Sequence, residues 1–253
     1  RGSGTPLRAL PVGDNPVGLN IPVARVADLL LQPGETIRFN GDPITYPDIR
    51  LVYWAGGNPF HHHQDLNRLR RAFRRPDCVI VNEQYWTATA QHADIVLPAT
   101  TTLERNDIGG SSRDPYLLAM HKAIEPVGLA RDDYDIFAGI AGRLGIGERF
   151  TEGRSVEDWL RWSYDESAQR LAARGLNPPD FDTFFEQGYL RMPEPESEPV
   201  PFGSFRSDPE ANPLATPSGR IEIFSAAVAG MNDPEQPGHP VWIDPEEWLG
   251  APA

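Results

Sequence analysis

The feature that most constrains this chain is a regular alternation of short apolar runs and helical patterns between residues 50 and 107. Runs rich in β-forming residues occupy 50–55, 79–81 and 95–97. The segments between them carry apolar residues at helical spacing, as over 64–73. Strands that alternate with helices pair in parallel, because each crossover returns the chain to the same edge of the sheet. The sequence therefore predicts an α/β fold with a mostly parallel sheet flanked by helices.

The remaining elements are predicted from local apolar patterns bounded by glycine or proline. They are a helix over 21–31, a hairpin turning at Asn40-Gly41, a helix over 134–144, a long helix over 156–174 and a strand over 220–224. Residues 193–217 are rich in proline and glutamate, which is typical of an extended surface segment. We expect this stretch to belong to a proline-rich, partly helical C-terminal extension.

These elements divide the chain into three predicted parts: an irregular loop over 1–20, an α/β ligand-binding domain over 21–150 and the extension over 151–253. We assign the strand near the end of the extension to the same domain. Residues 1–18 are typical of the interior of a loop, and no initiator methionine is present. We therefore expect the chain to be a piece of a longer protein.

Composition excludes several partners. The formal net charge of -13 disfavours non-specific binding to nucleic acid or to an anionic membrane surface. No apolar stretch approaches the ~18 residues that a membrane span needs. Cys78 is the single cysteine, so an intrachain disulfide is impossible, which is compatible with the cytosol. We expect no nucleic acid, no membrane and a cytoplasmic location, with the periplasm as the alternative.

Polar side chains cluster where the predicted parallel strands end. Gly56-Gly57-Asn58 follows the first strand, and Asn82-Glu83 follows the second. Arg105 lies just beyond the third strand, and its guanidinium can bind phosphate or base oxygens. Glycines let backbone N–H groups approach a ligand, and an acid after the second strand can accept hydrogen bonds from ribose hydroxyls. The absence of GxGxxG disfavours an ordinary NAD site and predicts a Rossmann-like variant.

The pair Asp132-Asp133 precedes the helix predicted over 134–144. An N-cap role is favoured about two to one, because acids before a helix commonly accept from its first N–H groups. A carboxylate also matches the N1–H and N2–H₂ donors of a guanine edge. Both roles stay open for this pair.

His61-His62-His63 does not predict a metal site. Three successive side chains cannot all face one ion on a regular element, and no further ligand lies at suitable spacing. We expect one imidazole to meet a ligand oxygen instead. No Ser/His/Asp or Cys/His constellation is present, so no catalytic residue is predicted.

Several long phrases of the chain occur together, and in this order, in one family of redox enzymes. They are IPVARVADLL at 21–30, YPDIRLVYWAGGNPFHHHQDLNRL at 46–69, VIVNEQYWTATAQHADIVLPATTTLERNDIGGSSRD at 79–114, AMHKAIEPVGLARDDYDIF at 119–137, TPSGRIEIFS at 216–225 and GHPVWIDPEEWLG at 238–250. Through them the sequence resembles the dimethyl sulfoxide reductase family of molybdopterin oxidoreductases.

The resemblance implies molybdenum held by two molybdopterin guanine dinucleotides, Mo-bis(molybdopterin guanine dinucleotide), and removal of an oxygen atom from an S- or N-oxide. Biotin sulfoxide is the favoured substrate, with trimethylamine N-oxide or dimethyl sulfoxide as alternatives. The chain resembles the third of four family domains, so the protein ligand of the metal falls outside it. The implied partners are the other domains of the parent enzyme, the substrate and an electron donor. The resemblance also implies that the end of the chain is a linker to a C-terminal domain.

The same resemblance gives roles to individual residues. Asn58 and His62 are expected to contact one dinucleotide near its phosphate and ribose. Asn82-Glu83 is expected to bind the nucleotide half. Arg105 and Asp133 fall at positions where the family contacts the cofactor. No residue of this chain is expected to bind the metal.

Two functions from other classes stay open. The same strand ends could form a stand-alone module for GDP, GTP or a flavin. The acidic, proline-rich segment 193–217 could instead dock a partner in a non-catalytic interaction domain.

Overall fold

The computed structural model describes residues 7–111, 114–193, 200–234 and 236–243. The chain divides into two compact units. The first unit consists of Arg1–Gly18 and Ile49–Pro199, and the second of Leu19–Asp48 and Val200–Ala253. The boundaries of these units differ from the predicted domain boundaries at residues 20 and 150. The predicted domain organisation stays a prediction.

The strands, in chain order, are β1 (Thr36–Phe39), β2 (Asp42–Thr45), β3 (Leu51–Ala55), β4 (Cys78–Glu83), β5 (Ile95–Pro98), β6 (Asp107–Gly109), β7 (Tyr116–Met120) and β8 (Tyr189–Arg191). The helices are α1 (Val26–Leu31, after a 3₁₀ turn over Val23–Arg25), α2 (Pro59–His62), α3 (Leu66–Ala72), α4 (Ala88–Gln91), α5 (Asp133–Arg143), α6 (Gly147–Thr151), α7 (Val156–Ala172), α8 (Phe181–Gln187), α9 (Gly203–Ser207) and α10 (Ala226–Gly230).

A parallel sheet with the order β3-β4-β5 forms one layer of the first unit. Its middle strand is the most apolar, and Val79 and Val81 are each only 1% exposed. A middle strand of a parallel sheet is covered on both faces, which suits the apolar sequence of β4. The predictions of a parallel sheet, flanking helices and a mixed α/β class are confirmed.

Side chains at the helix starts determine where the connecting helices begin. The Asp65 carboxylate accepts from the Arg68 N–H at the start of α3. The Thr87 hydroxyl accepts from the Ala90 N–H at the start of α4. Such caps satisfy backbone donors that have no partner inside the helix. The helices α3 and α4 in the two crossovers therefore begin at defined residues.

An antiparallel sheet, β6-β7-β8, packs with α7 and α8 in the same unit. Its core contains Ile108, Leu117, Tyr164, Phe181 and Phe184, with the rings of Tyr164 and Phe184 stacked at 4.5 Å. The Tyr164 hydroxyl donates to the Pro179 carbonyl at 2.8 Å, and burial raises the pKa of Tyr164 to about 12. The sequence pattern predicts α7 but does not predict this sheet.

The second unit contains the predicted hairpin. β1 and β2 pair antiparallel, and Asn40 and Gly41 both have positive φ, 53° and 91°. Two consecutive positive φ values match the right-handed twist of the strands, which is why Asn-Gly predicts this turn.

The strand predicted over 220–224 is wrong. Backbone groups of this segment bond to the side chains of its own turn: the Thr216 hydroxyl donates to the Arg220 carbonyl, and the Arg220 N–H donates to the Ser218 hydroxyl. Ile221 and Ile223 are mostly exposed. An alternating apolar pattern forms a strand only beside a partner strand, and the described part of the chain pairs none with it. The segment predicted to be extended, 193–217, contains α9, and 194–199 lies outside the described residues.

We expect Leu171→Ala to lower the free energy of unfolding by about 3 kcal/mol. Leu171 is 2% exposed on α7, and removing a buried leucine side chain loses its transfer free energy and leaves a cavity. Urea denaturation followed by circular dichroism measures the change. Leu144→Ala is the matched control, because Leu144 is 70% exposed and its truncation should cost less than about 0.5 kcal/mol. Equal losses for the two variants would contradict this description of the core.

Candidate functional site

The carboxyl ends of the three parallel strands meet at one edge of the sheet. Ala55 lies opposite Asn82, and Asn82 lies opposite Leu97. Gly56 and Gly57 follow β3 with φ of 78° and 70°. Among the described residues, no neighbouring atom lies within 4 Å of the position where Gly56 would carry a side chain. The residues that follow each strand therefore begin from a common edge, as the sequence predicts.

Asn82 is buried and linked on both sides. Its carbonyl oxygen accepts from the Tyr53 hydroxyl at 2.8 Å. Its Nδ2 donates to Oδ1 of Asp133 at 2.7 Å. Two of the predicted site residues, Asn82 and Asp133, are thus in direct contact, although they are 51 positions apart in the sequence.

Arg105 is held by the loop after β5. Its Nη1 donates to the Thr100 carbonyl at 3.0 Å, and its Nη2 donates to the Asp107 carboxylate at 3.2 Å. The buried Thr100 hydroxyl donates to Oδ1 of Asp132 at 2.5 Å. Thr100 therefore joins Arg105 to the residue that precedes Asp133.

Asp132 occupies the N-cap position of α5, but its side chain makes no cap hydrogen bond. The N-cap role favoured for the pair is therefore wrong for the Asp132 side chain, which accepts from Thr100 instead. The Asp133 carboxylate, at the first residue of α5, accepts from Asn82. The two acids tie the start of α5 to the end of β4 and to the loop after β5.

Glu83 is engaged locally. One carboxylate oxygen accepts from the Gln84 N–H at 3.0 Å and the other from the Thr87 hydroxyl at 2.8 Å. The Gln84 amide donates to the Thr100 carbonyl at 2.8 Å. Glu83 therefore shapes the turn between β4 and α4, and Gln84 connects that turn with the loop of Arg105.

Asn58 and His62 lie after β3 and are not bonded to the other four predicted residues. The Asn58 carbonyl oxygen accepts from the Thr89 hydroxyl. His62 is exposed, and its Nε2 lies 3.7 Å from the position of a Cβ on Gly57. This histidine therefore stands beside the tandem glycines, and its contact with a ligand stays a prediction.

The three successive histidines lie in different environments. His61 and His62 are exposed, whereas both ring nitrogens of His63 are buried and make no hydrogen bond in the described part of the chain. Among the described residues no group of three or more His, Cys, Asp or Glu side chains is arranged to hold a metal ion.

A cavity of about 330 Å³ adjoins three of these residues: Arg105, Asp132 and Asp133. Its other walls come from residues 7–10 and from α7, including Trp159. The segment 7–10 is fixed to α7 because the Arg8 N–H donates to the Ser167 hydroxyl and the Ser163 hydroxyl donates to the Arg8 carbonyl. The lining residues include two arginines and three aspartates, so the cavity suits a polar ligand with N–H donors as well as acceptors.

Sequence reasoning missed several residues that organise the site. Tyr53 and Thr100 provide hydroxyl donors to Asn82 and Asp132, and both lie in or beside strands where apolar packing is the usual expectation. Trp159, which lines the cavity, lies within the long helix predicted over 156–174. The one available signal was a polar side chain within or directly after an apolar run, at Tyr53 and Thr100.

Glu104 is a further residue that the sequence did not single out. It is 5% exposed, and its two carboxylate oxygens accept from the backbone N–H groups of Thr101 and Val127, each at 2.6 Å. These donors hold the pKa of the Glu104 carboxyl below its usual value. A buried anion thus closes the loop that carries Arg105.

Known proteins match this chain closely in sequence and more loosely in fold. Residues 9–143 match the family model described as molybdopterin oxidoreductase. The chain is 49% identical over 236 residues to biotin sulfoxide reductase of Cereibacter sphaeroides, covering 93% of this chain and 32% of that protein. It is 48% identical over 234 residues to the dimethyl sulfoxide/trimethylamine N-oxide reductase of the same organism, covering 91% of this chain and 28% of that protein.

Among solved structures, acetylene hydratase from Pelobacter acetylenicus matches with a TM-score of 0.57 and 20% identity, covering 88% of this chain and 26% of that one. This likeness supports the mixed α/β fold and nothing finer.

The chain belongs to the molybdopterin oxidoreductase family, in its dimethyl sulfoxide reductase branch. The resemblance inferred from its sequence phrases is confirmed. Membership implies a cofactor of molybdenum and molybdopterin. The chain spans about a third of the length of the curated relatives it matches. In the described residues no helix is both long enough and apolar enough to cross a membrane.

Glu104→Gln tests the buried carboxylate. Because the folded-state pKa of Glu104 is lowered, its stabilising contribution is complete above the unfolded-state pKa of about 4.3 and is lost as the pH falls through the folded-state value. We expect the variant to have a lower Tm than the original chain at pH 7, and the difference to shrink below about pH 4. Thermal melts at several pH values measure this. Glu186→Gln, at an exposed position, should leave the Tm unchanged at every pH, and a pH-independent deficit in Glu104→Gln would contradict the assignment.

Proposed function

We propose that this chain is the cofactor-binding part of a molybdenum enzyme that reduces S- or N-oxides. Biotin sulfoxide is the favoured substrate, and trimethylamine N-oxide or dimethyl sulfoxide are the alternatives. The observation that carries the proposal is a pair of hydrogen-bonded groups at the carboxyl edge of the parallel sheet that meet at the start of α5. Asn82 bonds to Asp133, and Arg105 bonds to Thr100, which in turn bonds to Asp132. Identity of 48–49% to reductases of these substrates supports it.

The donor set suits the guanine dinucleotide form of molybdopterin. Asp132 and Asp133 each have one carboxylate oxygen bonded to the protein, and the other oxygen of each makes no hydrogen bond among the described residues. Carboxylate oxygens match the N1–H and N2–H₂ donors of guanine, and the Arg105 guanidinium matches its O6 acceptor. Three aspartates beside two arginines in the cavity lining favour this base edge over a phosphate group.

The other predicted residues complete the proposed site. The tandem glycines and Asn58, with His62 beside them, would face the phosphate and ribose portion, because backbone N–H groups and neutral polar side chains bind phosphate without requiring a basic patch. Glu83 would act on the ribose side of the nucleotide, next to Asn82. When bound, the molybdenum centre supplies oxygen-atom transfer, while this chain binds and orients the dinucleotide. No residue of the chain is proposed as a metal ligand.

The finer structural predictions belong to this proposal. The β3-β4-β5 sheet is proposed as a Rossmann-like variant without GxGxxG, and residues 151–253 as the helical, proline-rich extension of a domain over 21–150. The proposed partners are the remaining domains of a longer parent enzyme, an electron donor and the small oxide substrate. We propose the cytoplasm as its location, and the periplasm is the alternative.

Nucleotide binding by the 253-residue chain tests the cofactor assignment. We expect isothermal titration calorimetry to show tighter binding of GDP than of ADP, because guanine presents adjacent N1–H and N2–H₂ donors to the aspartates, whereas N1 of adenine is an acceptor. Asp133→Ala should remove this preference by lowering the GDP affinity about 10-fold or more, the loss typical of a hydrogen bond to a charged group. Asp135→Ala, which changes an exposed acid on the same helix, is the matched control. Equal affinities for GDP and ADP in the original chain would contradict the proposal and favour a generic nucleotide-binding module.

The proposed division of labour also has a kinetic consequence. Because the metal ligand is proposed to lie outside this chain, we expect the chain alone to show no reductase activity. A reduced methyl-viologen assay with biotin sulfoxide measures turnover, and a dimethyl sulfoxide reductase serves as the positive control. Turnover by the isolated chain would refute the assignment of chemistry to other domains.

A further inference from the structure

The Asn82 side chain connects a tyrosine within the sheet to a carboxylate at the cavity. Tyr53 on β3 donates its hydroxyl to the Asn82 carbonyl at 2.8 Å, and the Asn82 amide donates to Asp133 at 2.7 Å. Asn82 is 8% exposed, so its polar atoms depend on protein partners and not on water. The Tyr53 ring also packs on Phe137 of α5, the helix that begins at Asp133, with ring centroids 5.3 Å apart. Tyr53 therefore contacts both the amide and the helix that position the carboxylate.

Only one orientation of the Asn82 amide fits this chain of hydrogen bonds. If the carbonyl faced Asp133, two oxygen acceptors would oppose each other without a proton between them. The NH₂ group must therefore face Asp133, and the carbonyl must face Tyr53, which can then act only as a donor. Burial and, to a smaller extent, the Asp133 charge raise the pKa of Tyr53, so its hydroxyl retains the required proton at neutral pH.

The arrangement uses one oxygen of Asp133 and leaves the other for a ligand. Oδ1 accepts from Asn82, whereas Oδ2 makes no hydrogen bond within the described part of the chain. Asp133 lines the 330 Å³ cavity, but Asn82 and Tyr53 do not. The tyrosine and the amide thus stand behind the carboxylate and can influence a ligand only through it.

We propose that Tyr53 is a positioning residue for base recognition, which acts through Asn82 to hold Asp133 as the acceptor for the N–H edge of guanine. This inference rests on the proposed function and adds a determinant of specificity to it. A carboxylate fixed at one oxygen presents the other in a defined direction, and a group held in place before binding loses less conformational freedom on binding. Loss of the Tyr53 hydroxyl should therefore weaken recognition of the guanine edge and leave adenine binding unchanged.

Tyr53→Phe is tested with GMP, IMP and AMP by isothermal titration calorimetry on the 253-residue chain. IMP lacks the 2-amino group of guanine and AMP lacks the N1–H donor, so the three probes separate the base edge from the ribose and phosphate. We expect GMP affinity to fall about 3- to 10-fold, the range for one lost hydrogen bond, with a smaller loss for IMP and none for AMP. Tyr189→Phe, which removes the same hydroxyl from an exposed position on β8, should change none of the three affinities. Equal losses for all three nucleotides would overturn the proposal.

A double-mutant cycle separates positioning from general destabilisation. Asp133→Asn has nearly the same shape as the aspartate but loses its charge and one acceptor. If Tyr53 acts through Asp133, then Tyr53→Phe should change GMP affinity less than 2-fold in the Asp133→Asn background. Fully additive losses in the double variant would show that Tyr53 acts by another route and would overturn the proposal.

A measurement without nucleotide distinguishes this inference from the proposed function. The side-chain NH₂ signals of Asn82 can be followed by ¹⁵N nuclear magnetic resonance. In Tyr53→Phe and in Asp133→Asn we expect these protons to exchange with water at least 3-fold faster than in the original chain, and Tyr189→Phe to leave the rate unchanged. Faster exchange in a chain that does not prefer GMP would support the positioning role while the guanine assignment failed. An unchanged rate in Tyr53→Phe would overturn the positioning role whichever nucleotide binds.

Discussion

The parallel register of β3, β4 and β5 is the constraint on which the rest of the site depends. Because Ala55, Asn82 and Leu97 lie side by side across the sheet, the three following loops start within about 10 Å of one another. Antiparallel pairing would send alternate loops to opposite edges of the sheet. The bonds of Asn82 and Thr100 to the start of α5 are possible only because the chain leaves each strand on the same side.

Hydroxyl groups from buried or half-buried positions then define how the charged side chains stand. Thr100 donates to Asp132, Tyr53 acts on Asp133 through Asn82, and Thr87 donates to Glu83. In each case an uncharged donor satisfies one carboxylate oxygen. Neutral donors fix the position of an acid without cancelling its charge, so the acid can still form a charge-assisted hydrogen bond with a ligand N–H group.

The sequence predicts local features well and distant pairings poorly. The Asn40-Gly41 turn follows from backbone geometry, and the parallel strands with their polar ends follow from the spacing of apolar residues. Both signals are contained in a short stretch of sequence. The β7–β8 pairing joins residues about 70 positions apart through two short strands, so no window of sequence contains it. The strand predicted over 220–224 is wrong for a different reason. Its alternating pattern is typical of a strand, but no partner strand lies beside it in the described part of the chain. Tyr53 and Thr100 could not be assigned roles because the acids they serve become neighbours only after folding. The roles of the six predicted site residues toward a ligand stay predictions.

Because the Glu104 carboxylate holds the loop that carries Arg105, this loop becomes ordered when the protein folds. Thr101 and Val127 lie 26 residues apart, and a single carboxylate holds both of their amides. The conformational entropy of the loop is therefore lost when the chain folds and not when a ligand arrives. The Arg105 guanidinium can therefore bind a ligand without a prior rearrangement of its loop. The association rate should be limited by diffusion and by the orientation of the ligand.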